Sequence, residues 1–147
     1  MNIKKGIIIS LLGSIIYFVF GWLVFDLLLG EYNNTNTTQI KGFKKSEEEY
    51  SVLFLYISCL AYSLLVNYIL LFLAKTQSLL QGFLRASAIG VLVAIMTDTY
   101  WYGSSHFYNN IMVMFVDILA AAITVGVLGL SVVWLNNKLN NNEPETK

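Results

Sequence analysis

Three aspartates and the single histidine lie in or beside the apolar segments of this sequence, and their residue types could do chemistry there. They are Asp26, Asp98, Asp117 and His106. A carboxylate in the hydrocarbon region of a membrane costs at least about 2.5–3.5 kcal/mol, so such residues are rare and mark candidate functional sites. Two carboxyl groups that face each other can share one proton. The residue types therefore predict a site that binds a proton, a cation or a small ligand.

The three aspartates lie at one depth if their apolar segments are helices that span a membrane. Asp26 and Asp98 precede the ends of their segments by three and four residues, and Asp117 follows the start of its segment by six. At a helical rise of 1.5 Å per residue, all three lie within roughly 10 Å of the same outer boundary. The spacing therefore predicts an acidic site that faces outward.

Helical spacing indicates which way two of these acids point. Asp117 shares a helix face with Thr124 and Ser131, and Asp98 shares one with Ala94. Faces of small and polar residues are typical of contacts between membrane helices. We therefore expect Asp98 and Asp117 to face the interior as a pair. The alternative is that each acid only accepts hydrogen bonds from backbone or tyrosine groups near a helix end.

Asp26 and His106 are expected at the mouth of this site. Asp26 shares its helix face with Trp22 and Val19, which leaves its side chain free to reach water. His106 stands in a short polar connection, where a lone histidine is usually solvated. As a metal ligand it lacks any HExxH spacing, so no metal site is predicted.

The sequence offers little support for an enzyme. It contains no GxSxG, SxxK or phosphate-binding loop, and the single Cys59 cannot form an internal disulfide or a CxxC pair. Neither a catalytic residue nor a cofactor is predicted.

The composition predicts the elements that must position these residues. Of the 147 residues, 56% are hydrophobic and 12% are charged, against about a quarter charged in soluble domains. Nine basic residues balance nine acidic ones, which argues against a nucleic-acid partner. Four apolar segments are long enough to cross a bilayer. They predict an all-α, four-helix transmembrane bundle over residues 1–138, followed by a disordered polar tail at 139–147. The helices are expected at about 7–29, 47–74, 83–102 and 111–135.

The distribution of lysine and arginine predicts the orientation. Six such residues lie near the helix ends on the side that carries both termini, and three lie on the other side. Positive charge concentrates in cytoplasmic segments. Both termini are therefore expected in the cytoplasm.

Short motifs around the three aspartates resemble those of a known group. These are "GWLVFDLLLGEY" at the end of the first helix, "TDTYWY" at the end of the third and "FVDILAAAITVGVLG" in the fourth. The chain resembles small four-span bacterial inner-membrane proteins that form a domain-of-unknown-function family. The resemblance implies a multi-pass protein of the cell inner (plasma) membrane, and it places Asp98 and Asp117 at the matching positions.

Two functions from different classes follow as expectations. The first is an integral membrane protein that binds a proton, cation or small ligand between its helices. A conduction path would need a homodimer, and the ladders Ala86/Gly90/Ala94 and Ala122/Gly126 offer faces for close packing. The alternative is a non-catalytic membrane subunit or assembly factor that acts through contacts with another membrane protein. In both cases the lipid bilayer is the expected surrounding.

Overall fold

The computed structural model of the protein describes residues 3–41, 45 and 47–141. Its regular elements are helices: α1 (Ile3–Trp22) continues as a π-helix (Leu23–Leu28), and α3 (Val52–Asn67) continues as a second π-helix (Tyr68–Leu73). The others are a short α2 (Gly30–Asn36), a 3₁₀ turn (Glu47–Glu49), α4 (Leu79–Ser104) and α5 (Ile111–Asn141).

Four helices of the described chain are long and apolar enough to cross a membrane. They are the spans Ile3–Leu28, Val52–Leu73, Leu79–Ser104 and Ile111–Asn140. Large apolar side chains such as Phe54 (71% exposed) and Leu92 (67% exposed) cover their outer faces. Such surface is favourable in lipid and unfavourable in water. The predicted all-α, four-helix fold is confirmed, and the chain is a multi-pass membrane protein.

The helix ends differ from the predicted ones where local contacts are decisive. The second spanning helix begins at Val52, after the 3₁₀ turn, instead of near residue 47. Helix α4 begins at Leu79 because the Ser78 side chain accepts a hydrogen bond from the Gln81 N–H and caps it. Helix α5 reaches Asn141, three residues into the segment predicted to be a disordered tail. The rest of that tail lies outside the described residues.

The extension of α5 has a physical cause in contacts with the chain's other segments. Leu139 packs against the buried apolar cluster. The Asn137 amide donates to the Gln77 carbonyl at 2.9 Å, and Lys5 Nζ donates to Asn140 Oδ1. The last contact places the two ends of the described chain at one end of the bundle, which we call the terminus end.

Helix α5 is the central element of the bundle. It packs most extensively against α4 and also contacts α1 and α3. The contact with α4 is close because glycines face the partner helix: a Cβ on Gly90 would lie 2.7 Å from the Ala121 carbonyl oxygen, and one on Gly129 would lie 2.4 Å from the Gly82 carbonyl oxygen.

This packing corrects the expected use of the small-residue ladders. Ala86, Gly90 and Ala94 are buried against α5 within one chain. Gly126 is packed in the same contact, where a Cβ would lie 2.4 Å from Ser87 Oγ. These faces are filled inside the chain, so a homodimer would have to use other surfaces. The homodimer itself stays a prediction.

The opposite end of the bundle is closed by two segments that pair with each other. The Thr38 N–H donates to the Phe107 carbonyl at 2.8 Å, and the Asn109 N–H donates to the Asn36 carbonyl at 3.0 Å. Thr37 and Tyr108 form the antiparallel bridge between them. We call residues 36–38 and 107–109 the cap, and this side the cap end.

At the terminus end, the turn after the second π-helix is tight. The Thr76 N–H donates to the Leu70 carbonyl at 2.8 Å, and Arg85 Nη1 donates to Thr76 Oγ1 at 2.8 Å. Lys75, which directly precedes Thr76, has a φ of 46°. This value lies in the left-handed region that disfavours residues with a Cβ.

Replacing Lys75 with glycine is expected to stabilise the protein. Glycine adopts positive φ without the Cβ penalty, so we expect Lys75→Gly to raise the free energy of unfolding by about 0.5–1 kcal/mol. Unfolding in detergent measures the change. Lys75→Ala is the control, because it removes the same charge and keeps the Cβ. Equal stability of both variants would contradict the prediction.

Candidate functional site

The α4–α5 hairpin brings the two interior aspartates together below the cap. Asp98 lies one and a half turns before the end of α4, and its side chain is 4% exposed. Asp117 lies in the second turn of α5 and is half-buried. Because glycines let the two helices approach closely along their length, residues at the same level, such as these two, meet across the contact.

One oxygen of the Asp98 carboxyl group is held by hydroxyl groups. The Tyr108 hydroxyl donates to Asp98 Oδ1 at 3.0 Å. The Thr97 hydroxyl lies 3.4 Å from the same oxygen, but it is closer to the carbonyls of Val93 and Ala94, at 3.1 Å each. Tyr108 is therefore the main donor to this oxygen, and it ties the cap to the carboxyl group.

The second oxygen of the Asp98 carboxyl group, Oδ2, has different surroundings from the first. Asp98 Oδ2 is buried and has no conventional donor among the described residues. The Asp117 carboxyl group lies within hydrogen-bonding range of the Asp98 carboxyl group. Two carboxylates cannot donate to each other, so such a contact is stable only when one of them carries a proton. A single shared proton satisfies the geometry of the pair.

Among the described residues, a basic side chain does not supply the positive charge that could stabilise two ionised carboxyl groups here. Among the residues that the structure describes, no lysine, arginine or histidine pairs with either carboxyl group. A buried carboxylate without a partner is strongly disfavoured in a low-dielectric interior.

Tyr108 is suited to act as a donor to this pair. Its phenol lies outside the spanning helices, where burial and the adjacent Asp98 carboxyl group raise the pKa of Tyr108 above its ordinary value. Both effects disfavour the phenolate, because they penalise a second negative charge in a desolvated place. The hydroxyl therefore keeps its proton and its hydrogen bond throughout the neutral range.

A tyrosine of α1, Tyr17, lies on the side of the pair that faces the bundle interior. Tyr17 is half-buried and its ring stacks on that of Tyr62 with the centroids 5.6 Å apart, and Thr124 and Asp117 lie near its phenol. Thr124 is fully buried and donates to the Ala120 carbonyl at 2.9 Å. Polar groups therefore continue from Asp117 towards the bundle interior.

The other two predicted site residues are not brought to the pair. Asp26 lies in the π-helix that ends α1, and its side chain is exposed. His106 lies beside the cap with an exposed side chain, and its backbone carbonyl accepts a hydrogen bond from Thr38 Oγ1. In the described contacts of the two carboxyl groups, neither residue takes part.

Tyr108 and Tyr17 are site residues that the sequence analysis does not identify. A signal for Tyr108 exists, since it lies between Asp98 and Asp117 in the connection that turns α4 into α5. No comparable signal exists for Tyr17, because its approach to Thr124 depends on the packing of α1 against α5.

The donor set suits a proton better than a dehydrated metal ion. Within the described part of the chain, no three His, Cys, Asp or Glu side chains form a group that could hold a metal. Divalent cations with oxygen ligands take six or more of them.

No protein-family model, curated protein or solved structure matches the chain. The resemblance to small four-span inner-membrane proteins therefore stays a prediction, and the site has to be interpreted from its own geometry.

Proposed function

We propose that this chain is a non-enzymatic, multi-pass protein of the bacterial inner membrane that binds a proton between Asp98 and Asp117. The observation that carries the proposal is the contact between the two carboxyl groups, with Asp98 only 4% exposed and its Oδ2 without another donor. In this proposal the proton is the ligand, and the pair releases it towards the cap end.

The orientation that we propose follows from the charge distribution. With both termini in the cytoplasm, the cap end faces outward, and the pair lies near the outer surface. Lys5, Lys75, Arg85 and Lys138 lie towards the terminus end, which is consistent with a cytoplasmic face. The proposed exchange is then with protons outside the cell.

A protonated carboxyl group has its own infrared carbonyl absorption, which a carboxylate lacks, and this absorption tests the proposal. We expect the protein in lipid to show the absorption at neutral pH and to lose it as the pH is raised. Asp98→Asn and Asp117→Asn each remove one partner and should abolish the pH-dependent signal. Asp26→Asn is the matched control, because it removes an exposed acid at the same end of the bundle.

Thermal unfolding in detergent provides a second measurement. Once the shared proton is lost, two negative charges face each other, so the parent should lose stability at alkaline pH. In Asp98→Asn and Asp117→Asn only one charge remains, and this loss should be smaller. If all four proteins show the same spectrum and the same pH dependence, the proposal fails. The two acids would then only stabilise the local structure. That result would favour the alternative function, a membrane subunit or assembly factor.

A further inference from the structure

The charged side chains of the bundle are sorted by end. Among residues 3–41, 45 and 47–141, the acids lie at the cap end or in the segments that lead to it: Asp26, Glu31, Glu47, Glu48, Glu49, Asp98 and Asp117. The terminus end carries five cations: Lys4, Lys5, Lys75, Arg85 and Lys138. In the described chain, the terminus end is therefore a positive surface without acids that would neutralise it.

Two of these cations meet at the turn that leads into α4. Arg85 Nη1 donates to Thr76 Oγ1 at 2.8 Å and to the Ala74 carbonyl at 3.4 Å. Thr76 is 2% exposed, so the guanidinium group is anchored on a buried side chain. Lys75 lies between these two acceptors in the chain, and its side chain is exposed. The two charges are therefore held at one place on the surface. We call Lys75, Thr76 and Arg85 the basic turn.

The anchor leaves several donors of Arg85 available for a ligand. A guanidinium group has five N–H donors in a fixed planar arrangement. Both described bonds of Arg85 use Nη1, and its Nε and Nη2 have no acceptor among the described residues. Two such nitrogens form a fork that can bind two oxygens of one phosphate group. The anchored side chain therefore presents a fork that suits a phosphate.

Lys75 keeps its positive charge at a position that favours glycine. Its φ of 46° is left-handed, and the residue at this place after a helix is most often glycine. The described hydrogen bonds of the turn are made by Thr76 and Arg85, and the Lys75 ammonium group takes no part in them. Backbone strain of this kind is often found where a residue serves a function. The ammonium group is therefore available to a partner outside the chain.

Apolar side chains continue from the basic turn into the membrane span. On α4, Leu80, Leu84 and Leu92 are exposed at intervals of one or two helical turns. Leu73, at the end of the preceding π-helix, is exposed beside them in the chain. A ligand of this surface needs an anionic group for the basic turn and hydrocarbon chains for the leucines. An anionic phospholipid has both.

We propose that the basic turn binds the headgroup of an anionic phospholipid, with the phosphate at Lys75 and Arg85 and the acyl chains along α4. A lipid fits this place better than a soluble anion, because the two cations adjoin apolar surface of a spanning helix. The other cations of the terminus end strengthen the attraction, since clustered lysine and arginine beside spanning helices attract anionic lipids. The proposal goes beyond proton binding by the carboxyl pair and does not depend on it.

Native mass spectrometry of the full chain, released from neutral detergent, counts the lipids that stay bound. The probes are phosphatidylglycerol and phosphatidylcholine with the same acyl chains, which share a phosphate and differ in net charge. We expect the parent to bind phosphatidylglycerol more tightly. Lys75→Gly and Arg85→Gln should each weaken its binding about fivefold, the effect of one cation beside an anionic lipid.

The stability of Lys75→Gly separates lost recognition from a damaged fold. Without added lipid this variant is expected to be more stable than the parent, because glycine relieves the left-handed φ. Added phosphatidylglycerol should nevertheless raise its unfolding temperature less than that of the parent. Lys41→Gln is the matched control, because it removes an exposed lysine that follows the cap segment 36–38 in the chain. This control should bind phosphatidylglycerol like the parent.

Four results would overturn the lipid site. The first is equal affinity of the parent for the two lipids, and the second is parental affinity for phosphatidylglycerol in both variants of the basic turn. The third is an equal loss in Lys41→Gln, which would show general attraction between charges. The fourth is an equal rise in unfolding temperature with inorganic phosphate at the same concentration, which would show a site for a free anion. Should Arg85→Gln fail to fold in detergent, Lys75→Gly decides the question alone.

Discussion

Gly129→Ala is expected to destabilise the protein more than a Gly→Ala substitution at any other described glycine. The new Cβ would lie 2.2 Å from the Ala86 Cβ and 2.4 Å from the Gly82 carbonyl oxygen. Neither atom belongs to a flexible side-chain tip, so α4 and α5 must separate along their closest contact. Overpacking of this kind costs about 1–3 kcal/mol and occasionally more. We expect a loss of about 3 kcal/mol in the free energy of unfolding, measured by denaturation in detergent.

Gly21→Ala is the control for this change. Its Cβ would meet nothing within 4 Å, and Gly21 lies in the last turn of α1, which continues without a break into the π-helix. The same chemical substitution should there stabilise the helix by about 0.5–1 kcal/mol, because alanine loses less backbone entropy than glycine. If Gly129→Ala were as stable as the parent, the close packing of α4 on α5 would be wrong.

Tyr108→Phe is expected to release the cap from the carboxyl pair. The substitution keeps the ring and removes only the hydroxyl group that donates to Asp98 Oδ1 at 3.0 Å. A hydrogen bond to a charged or proton-sharing carboxyl group contributes about 1.5–3 kcal/mol. We therefore expect a loss of that size in the free energy of unfolding. Backbone amides of the cap, including Thr38 and Asn109, should exchange their protons faster.

Tyr100→Phe is the matched control, because Tyr100 lies near the same end of α4 with 66% of its side chain exposed. This variant should exchange like the parent. Unchanged protection of the cap amides in Tyr108→Phe would show that the hydroxyl group does not hold the cap.

The contribution of the Tyr108 hydroxyl group to stability is also expected to depend on pH. Burial and Asp98 raise the pKa of Tyr108 in the folded protein, while in the unfolded chain a tyrosine ionises near pH 10. The contribution of Tyr108 to stability is therefore complete below about pH 10 and declines above it, because only the unfolded state then releases the proton. The stability difference between the parent and Tyr108→Phe should shrink above that pH. A difference that stays constant to higher pH would contradict the proposed environment of the phenol.

Several features of the site could be predicted from residue type and spacing alone. The length and hydropathy of the apolar segments determine four spanning helices, since a bilayer has a defined thickness. A helical period of 3.6 residues places Thr124 and Ser131 on the interior face together with Asp117, and both are buried. Positions near the helix ends set the shared depth of Asp98 and Asp117. These are local properties, which one helix at a time can reveal.

The tertiary structure alone decided which helices meet and what each face contacts. The ladder of Ala86, Gly90 and Ala94 suits a second chain as well as it suits α5, and only the packing shows that α5 occupies it. Tyr108 reaches Asp98 because the cap pairs two segments that are about 70 residues apart in the chain. Asp26 has the same residue type and depth as the pair, yet its side chain is exposed on the surface of the bundle. Periodicity determines which residues share a face, whereas the partner of that face depends on contacts between helices that are distant in sequence.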